Sequence, residues 1–390
     1  MSFLTHLASL LGLSSPAPVA PPGATLAATV TTPASLGFVP VAIHFDLFNI
    51  LVSHGGPATA DEVSATCNAR IKARVKDEPK LSTRLASDTL YIMAGLGLVD
   101  RVAEDCFIAN AITNHMVAMP SAQHGALHFT TEGLMAGAFL MKKLQDTRFA
   151  YPFDADGPLQ YAYRLMGQSE LAEKHTYSIM ETQGRMDSFN HFMVGKFLKF
   201  GTFPDRVKSM GYDLDGALAG DAATDSRTSS ATMVDIGGGR GELLLEVQAA
   251  YPHLGAEDLI VQEFNADIDD VPGVRLMKWN YKEAEQPVRG AYVYALQHIL
   301  HNLPDLDAVA LLQKISRAMA PGSRILIIEY AKNLTYTSLH ASMIALYGGR
   351  ERSSVEWKQM AGLSGLEVTF EVYVRAGESL VEMRRADSLY

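Results

Sequence analysis

Apolar residues recur every three or four positions through the first third of the chain, which predicts a helical region. Val41, Phe45 and Phe48 share one helical face in this pattern. Thr59 and Glu62 then form a capping box, in which each side chain bonds the other residue's backbone amide, so a second helix is expected to begin there. The predicted elements are helices around 41–51, from 59 onward and over 81–95, followed by short strands at 98–100 and 106–108.

Three helices followed by a small hairpin predict a winged-helix-like domain, which we assign to residues 33–127. Winged-helix domains often bind DNA, but we expect no basic recognition helix here, and phosphate binding requires clustered Lys and Arg. We therefore expect this domain to serve in packing or dimerisation. Ahead of it, residues 1–32 are expected to form an apolar N-terminal helix over 1–13 and a Pro-rich linker, extended over 14–24.

The middle of the chain, residues 128–205, is again helical in pattern and is expected to be a linker that contributes to a substrate pocket. Four large apolar residues follow one another at spacings of three and four, so they share one face. This face fits the core of a helical bundle. It also fits a pocket wall, because Met adapts to irregular shapes and Phe stacks on flat rings. The four residues are Met186, Phe189, Met193 and Phe197.

The last part of the chain, residues 206–390, alternates strand-like and helix-like segments. Repeated units of this length predict an α/β fold of Rossmann-like type, with a parallel sheet and helices on both faces. The helix before the fifth strand has one apolar stripe, formed by Val309, Leu312 and Ile315. The predicted strands are 232–236, 259–261, 274–277, 291–296 and 324–330, with an antiparallel edge hairpin at 367–373 and 379–384.

Composition narrows the class of protein. With 390 residues, 48% of them hydrophobic, the chain is long enough for two domains with large buried surfaces. A net charge of −10 without a basic tract argues against nucleic acid and fits an uncharged or cationic small molecule. Cys67 and Cys106 lie in unrelated contexts, so we expect no disulfide and a reducing, cytoplasmic compartment. No apolar run is expected to reach the ~18 residues that span a bilayer, so no membrane partner is predicted.

A glycine-rich turn, VDIGGGRGE over 234–242, follows the first strand of the predicted sheet and opens a helix. Glycines such as Gly237 and Gly239 let the backbone turn tightly and bring its amides against a ligand. A dinucleotide fingerprint requires glycine where this chain has Glu242, whose charge would repel a pyrophosphate. Asp235 supplies a carboxylate for an ammonium group. The turn therefore predicts S-adenosylmethionine, which carries an ammonium and a sulfonium but no phosphate, as the cofactor.

Two further strand ends supply polar groups for the same cofactor. Glu263 closes the second strand roughly 20 residues after the turn, where an acid accepts hydrogen bonds from ribose hydroxyls. Asn280 and Tyr281 follow the third strand, where an amide can bond the adenine edge and a phenol ring can stack on it. Because the carboxyl ends of parallel strands meet at one edge of a sheet, we expect the cofactor to bind there.

Two histidines, His298 and His301, follow the fourth strand at this edge. Glu329 ends the fifth strand on the same edge, and Glu351 follows a glycine pair further on. A phenol has a pKa of about 10 and is a weak nucleophile at neutral pH, so a histidine is suited to take its proton. His301 is the predicted base, with Glu329 and Glu351 as candidates to hold its other ring nitrogen. His298 is expected in the substrate pocket.

Five motifs carry a family resemblance: VDIGGGRGE, VQE, LHNLPD, LIIEY and GGRER. With the helical N-terminal region, they resemble the plant and fungal O-methyltransferases, the homodimeric, metal-independent type that methylates phenols. The resemblance spans nearly the whole chain. It implies a class I methyltransferase that uses S-adenosylmethionine and acts on a hydroxyl of a small apolar or aromatic secondary metabolite. It also implies that His301 is the base, that Glu329 and Glu351 flank it, and that Glu263 holds the ribose.

The chain departs from that family pattern beside the predicted base. Where the family has His-Asp-Trp, this chain has His301, Asn302 and Leu303. Gln297, expected at the methionine end of the cofactor, stands where the family often has lysine or arginine. Some fungal relatives of this fold act as pericyclases. Retention of His301 favours methyl transfer, and the alternatives are a pericyclase acting on a polyketide or alkaloid intermediate and a non-catalytic dimeric binding protein.

Overall fold

The computed structural model describes residues 21–74, 80–152, 156–194, 201–220, 231–264 and 271–388 of the chain. The chain divides into two compact units, Met1–Val117 and Ala118–Tyr390. This boundary precedes the one predicted after residue 127. The predicted cofactor and catalytic residues all belong to the second unit.

The first unit combines helices with a small antiparallel sheet. Its helices are α1 (Pro22–Leu36), α2 (Val39–His44), α3 (Leu47–His54), α4 (Ala60–Arg74), α5 (Thr83–Gly95) and α6 (Ala111–Ala118), which ends at the unit boundary, and its strands are β1 (Ala58–Thr59), β2 (Asp100–Ala103) and β3 (Cys106–Ile108). The strands are ordered β1-β3-β2, and both pairings are antiparallel. The helices and the hairpin follow the predicted order, while the winged-helix class itself stays a prediction.

The predicted capping box is present at the start of α4. The amide of Thr59 donates to Oε2 of Glu62 at 2.8 Å, and the amide of Glu62 donates to Oγ1 of Thr59 at 3.3 Å. Each bond satisfies an amide that the helix start would leave without a partner. The strand predicted at 98–100 begins at Asp100 instead, because Leu98 and Val99 follow the glycine turn that ends α5.

The start of the described chain differs from expectation. The linker predicted to be extended over 14–24 is helical from Pro22, because proline at the first helical position loses no hydrogen bond. Residues 1–20, including the helix predicted over 1–13, lie outside the described residues. The expectation that no apolar segment reaches membrane-spanning length is wrong, since Pro22–His44 is long and apolar enough by length and composition. Near an N-terminus this is weak evidence for a membrane span, because signal sequences share the same property.

Short helices occupy the first part of the second unit, where a helical linker was predicted. They are α7 (Pro120–His128), α8 (Leu134–Asp146), α9 (Pro158–Leu165), α10 (Ser169–Ala172), α11 (Thr176–Thr182), α12 (Met186–Val194), α13 (Phe203–Ser209) and α14 (Leu214–Ala219). A single π-helical turn, Phe129–Gly133, joins α7 to α8. Such turns are rare within helices and often mark functional sites.

A seven-stranded sheet with flanking helices forms the rest of the unit. Its strands are β4 (Met233–Ile236), β5 (Leu259–Glu263), β6 (Arg275–Lys278), β7 (Val293–Gln297), β8 (Arg324–Tyr330), β9 (Leu366–Val372) and β10 (Glu378–Arg385), and its helices are α15 (Glu242–Ala250), α16 (Asp305–Ala318), α17 (Thr337–Tyr347) and α18 (Ser354–Leu363). The strand order is β6-β5-β4-β7-β8-β10-β9. β4 to β8 pair in parallel, and β10 pairs antiparallel with both β8 and β9. The α/β prediction is confirmed, including the antiparallel edge hairpin.

The core lies on both faces of this sheet. All seven residues of β8 are buried, as expected for a central strand covered by helices on both sides. Ile325 and Ile327 belong to one apolar cluster, and Leu326 and Ile328 belong to a second. Alternate side chains therefore enter opposite layers. This packing fixes the strands, so the loops at the carboxyl ends of β4, β5, β7 and β8 meet at one edge.

Candidate active site

The turn after β7 carries the predicted base. β7 ends at Gln297, and His301 lies in one 3-10 turn, Leu300–Asn302, before α16 begins. Nδ1 of the buried His301 ring lies 2.9 Å from Oε1 of Glu351, which is also buried. An ionised carboxylate can only accept, so Nδ1 carries the ring proton and Nε2 of the neutral ring is left as the proton acceptor.

Glu329 contacts the backbone of the same turn. Its Oε1 accepts hydrogen bonds from the amide of Leu300 at 2.7 Å and from the amide of His301 at 3.1 Å. These bonds satisfy two buried donors and hold the turn against the end of β8. The two acids predicted beside His301 therefore contact different parts of it: Glu351 the ring and Glu329 the main chain.

Burial and nearby charge change the pKa of His301 in opposite directions. Burial disfavours the imidazolium, but the nearby carboxylates of Glu351 and Glu329 outweigh it, so the pKa of His301 lies above its usual value. Burial also raises the pKa of Glu329. Ligand atoms from these three residues lie within 4.8 Å of one another, a spacing that would also admit a metal ion.

A fully buried arginine ties this turn together. Arg352 donates to the carbonyl oxygen of Leu300 at 2.7 Å and to that of Leu303 at 2.9 Å. It also donates to Oδ1 of Asp305 at 2.9 Å. Burial of Asp305 favours its neutral form, but hydrogen bonds from Arg350 and Arg352 hold its pKa below the usual range. Hydrogen bonds therefore join segment 300–305, LHNLPD, to segment 348–352, GGRER. Both arginines of the second segment take part in these bonds.

Gly349 allows the segment before Glu351 to approach the catalytic turn. A Cβ at this position would lie 2.0 Å from the carbonyl oxygen of His301 and 2.7 Å from the carbonyl carbon of Asn302. We expect Gly349→Ala to shift the turn, to lower kcat about tenfold and to lower Tm, because displaced catalytic groups lose productive geometry. Steady-state kinetics and thermal unfolding measure the two effects.

Gly362→Ala is the matched control for this substitution. A Cβ on Gly362, within α18, would meet no atom within 4 Å. Alanine there is expected to keep kcat and to preserve or raise Tm, since alanine is the better helix former. Similar losses in the two variants would contradict the close approach at Gly349.

His298 and Gln297 contact a buried glutamate that was not predicted. Oε1 of Glu378, the first residue of β10, lies 2.7 Å from Nε2 of His298 and accepts from Nε2 of Gln297 at 2.8 Å. Arg206 approaches the other carboxylate oxygen at 2.8 Å. The His298 ring also stacks on Tyr330, with ring centroids 5.0 Å apart. The antiparallel pairing of β10 with β8 brings these residues together, and local sequence gives no signal for it.

The glycine turn after β4 lies against the segment that carries His301. Gly237 has a φ of +72°, and a Cβ there would lie 2.4 Å from Cδ1 of Ile299. A Cβ on Gly238 would lie 2.3 Å from Oδ2 of Asp235, which is buried. Glycine is favoured at 237 by the positive φ, and a side chain at 238 would enter space that Asp235 already fills.

Glu263 closes the same edge from β5. Its Oε1 accepts a hydrogen bond from the amide of Gly239 at 2.7 Å. Burial raises the pKa of this carboxyl above its usual value. The structure thus brings together Asp235, Gly237, Gly239 and Glu263, all of which were predicted to contact the cofactor.

Asn280 and Tyr281 have local partners after β6. Oδ1 of Asn280 accepts from the amide of Lys282 at 3.0 Å, and its Nδ2 donates to Glu283 at 2.9 Å. Tyr281 packs against the apolar cluster beneath the sheet. These contacts stabilise a turn, and the adenine contact predicted for the pair stays a prediction.

A cavity of about 690 Å³, counted with its open mouth, is bordered by His301 and Glu351. Phe189, Met193 and His298 line it as predicted, but Met186 does not. Met186 lies at the start of α12, and only later turns of this helix reach the cavity. Phe197 lies outside the described residues. The aromatic part of the lining is formed by Phe129, Tyr177, Phe189, Phe192, Tyr330 and Tyr347.

A second histidine–carboxylate pair at this cavity was not predicted. His128 lines the cavity, and its Nδ1 lies 3.2 Å from Oε2 of Glu132. Residues four apart share a helical face, so this spacing is the signal in the sequence that indicates the pair.

Comparison with known proteins identifies the family. Residues 222–367 match the profile of the O-methyltransferase domain. The O-methyltransferase bfoE of Aspergillus brasiliensis is 54% identical over 373 residues, which cover 95% of this chain and 98% of that protein. The chain belongs to the O-methyltransferase family. This confirms the predicted family and enzyme class.

Two solved structures resemble the methyltransferase over almost its whole length. One is described as a pericyclic reaction enzyme and the other as LepI in complex with SAM. Each is 21% identical with a TM-score of 0.73, and the match covers 98% of this chain and 92% of the other. At this identity the likeness bears on the fold alone, and it confirms the predicted class I methyltransferase fold.

Proposed function

We propose that this O-methyltransferase methylates a hydroxyl of a small aromatic secondary metabolite, with S-adenosylmethionine as methyl donor and His301 as general base. One observation carries the proposal: an imidazole bound to a buried carboxylate borders a cavity with largely aromatic walls. Such walls stack on a flat ligand and exclude water from it.

The residues of the turn divide the work of proton removal. His301 accepts the hydroxyl proton on Nε2, and Glu351 stabilises the imidazolium that forms. Glu329 and Arg352 hold the turn, so that the ring keeps its direction. S-adenosylmethionine supplies an electrophilic methyl group when bound. Surroundings of low polarity strengthen each of these interactions.

The edge formed by β4 and β5 fits that cofactor. Asp235 offers a buried carboxylate for the ammonium group beneath a turn where a Cβ has no room. The amide of Gly237 donates to the carbonyl oxygen of Gln262 and that of Gly239 donates to Glu263, so these bonds fix the shape of the turn. Glu263 supplies the acceptor that a ribose diol requires. The methionine end and the adenine are assigned to Gln297, Asn280 and Tyr281.

Transfer of a labelled methyl group tests the proposal. Purified enzyme is incubated with methyl-deuterated S-adenosylmethionine and a panel of hydroxynaphthalenes and hydroxyanthraquinones, and the products are analysed by mass spectrometry. We expect an ether product that carries the label, with S-adenosylhomocysteine in equal amount. A bound aromatic substrate that never acquires the label would overturn the proposal.

A pericyclase is the second candidate, favoured by Asn302 and Gln297, which depart from the family pattern. Such an enzyme would convert its substrate to an isomer of unchanged mass. The same experiment separates the two functions, because a pericyclase forms no S-adenosylhomocysteine.

The proposed reaction needs no metal ion. Oε1 of Glu351 is bound to His301, and Oε1 of Glu329 is bound to two amides, so each acid has a role in holding the catalytic turn. Dialysis against EDTA is expected to leave kcat unchanged. Lost activity that Mg²⁺ or Zn²⁺ restores would instead assign the three-residue cluster to a metal.

We also propose that the enzyme is a homodimer. Helix α1 has no buried residue, and Leu26 and Val30 on it are each 62% exposed. An apolar helix gains stability when a partner covers it. Sedimentation velocity at micromolar concentration tests this, and a monomer would contradict it.

A further inference from the structure

We propose that His128 binds a second hydroxyl of the substrate, so that the enzyme takes a flat aromatic compound with at least two hydroxyl groups. The inference rests on the proposed function, because His128 and His301 border the same cavity. It adds a specificity-determining residue and defines the substrate class more narrowly.

The His128 ring is held from behind by a buried acid. His128 is 2% exposed and Glu132 is 4% exposed, with Nδ1 of the ring 3.2 Å from Oε2 of the acid. Nε of Arg185 lies 3.0 Å from the other oxygen, and Thr131 donates to Glu132 as well. Burial favours the neutral acid, but the nearby His128 ring and the hydrogen bonds from Arg185 and Thr131 lower the pKa of Glu132 to about 2. The acid is therefore ionised at neutral pH.

An ionised Glu132 fixes which nitrogen of His128 a ligand can use. The negative charge of Glu132 lies 3.2 Å from Nδ1 and favours the proton of the neutral ring on that nitrogen, which leaves the lone pair on Nε2. A substrate hydroxyl can donate to that lone pair. Nδ1 of His301 likewise faces a buried acid, Glu351, and there the contact is a hydrogen bond of 2.9 Å.

The surroundings of His128 make such a bond strong. Phe129, Phe189 and Phe192 lie around the ring, with centroids 5.3, 5.1 and 6.0 Å away. These aromatic rings are poor hydrogen-bond partners, so Nε2 is the acceptor available to a substrate hydroxyl at this wall. A bond to Nε2 compensates the hydroxyl for the hydrogen bonds to water that it loses on binding. The same rings would stack on a flat ligand.

Close packing keeps this wall in place. Gly125 lies on α7 before His128, and a Cβ there would lie 2.8 Å from the Phe192 ring on α12. The two helices are therefore packed tightly at this point. A rigid acceptor can discriminate between ligands by the position of a hydroxyl, which a mobile side chain does less well.

The substrate class follows from the two pairs together. One ring nitrogen, on His301, removes the proton of the hydroxyl that reacts. The other, on His128, accepts from a hydroxyl that does not react and thereby sets the orientation of the ring system. A compound with a single hydroxyl satisfies only one of them, so it binds more weakly or in more than one orientation.

Binding of paired probes tests the inference. Calorimetry measures the Kd of each dihydroxynaphthalene isomer and of 1-naphthol for the full-length enzyme with S-adenosylhomocysteine present. We expect the best-fitting diol to bind wild type about tenfold more tightly than 1-naphthol, the value of one hydrogen bond in a buried site. In His128→Leu this preference is expected to disappear, because only the diol loses a partner.

Two further variants separate polarity from packing. His128→Phe keeps an aromatic ring in place and is expected to lose the preference for the diol, as His128→Leu does. The same result in two different variants separates the loss of Nε2 from a folding defect in one of them. Phe192→Leu changes the apolar wall and is expected to weaken both probes by the same factor. Equal weakening of diol and naphthol in the His128 variants would overturn the inference, as would a wild type without preference for any diol.

The binding measurements test the role of His128 separately from methyl transfer. A diol preference that depends on His128, with no label transferred to any probe, would overturn the proposed function and leave the binding role intact. Label transfer to 1-naphthol and diols with equal efficiency would support the methyltransferase and exclude the role of His128.

Discussion

His301→Ala is expected to lower kcat for methyl transfer by about three powers of ten, within the range for loss of a general base. Removal of the ring leaves the substrate hydroxyl protonated in a buried site, where water has little access. Binding of S-adenosylmethionine should be unchanged, since Asp235, Gly237, Gly239 and Glu263 lie in other segments of the chain. Single-turnover kinetics with labelled cofactor measures the first effect, and calorimetry measures the second.

Two comparisons make this result specific to the imidazole. His253→Ala removes an exposed histidine and should leave kcat at the wild-type value. Free imidazole should partly restore His301→Ala, because it can occupy the vacated space and accept the proton. Activity within tenfold of wild type in His301→Ala would assign the chemistry to another group.

Glu351→Gln is expected to lower kcat about a hundredfold and to shift the acidic limb of the kcat–pH profile to lower pH. Glutamine retains the volume and an acceptor for Nδ1 of His301 but removes the negative charge. Burial lowers the pKa of His301, and the charge of Glu351 is the largest effect that opposes it. Without that charge the pKa falls, so the ring becomes neutral at a lower pH.

The direction of the shift distinguishes charge from structure. The neutral ring is the active form, so activity rises as the pH passes the pKa of His301. A variant in which the pKa of His301 is lowered therefore reaches its maximal kcat at a lower pH, and that maximum is smaller than in wild type. Glu257→Gln, which changes an exposed acid paired with Arg275, should alter neither value. A fall in kcat without any shift of the limb would show that Glu351 acts only by holding the loop.

Local sequence predicted most elements of the second unit. The limits of β8 were predicted without error, and the glycine turn and α15 lie where they were expected. Each depends on neighbours within a few residues: alternation for a strand, spacing for a helix, and the absence of Cβ atoms for a tight turn. The same local information failed at Pro22, where prolines fit a helix start as well as an extended linker.

Part of the candidate site also followed from sequence. Parallel strands end at one edge of a sheet, so Asp235, Glu263 and His301 were expected near one another before any coordinates were known. Met186 was expected in the pocket and lies outside its lining, because a helical pattern gives the face of a helix and not how far a cavity extends along it.

Sequence by itself determined the family, the order of strands and helices, and the identity of the candidate base. Tertiary structure decided which acid contacts the imidazole of His301, and that Arg352 and Gly349 fix the catalytic turn. It also decided that His128, beside Glu132, provides a second polar group in the aromatic wall of the cavity. The physical reason is distance along the chain. Glu351 and Arg352 reach the turn from about 50 residues away, and such a contact depends on how packed layers meet, which no periodicity within one element records.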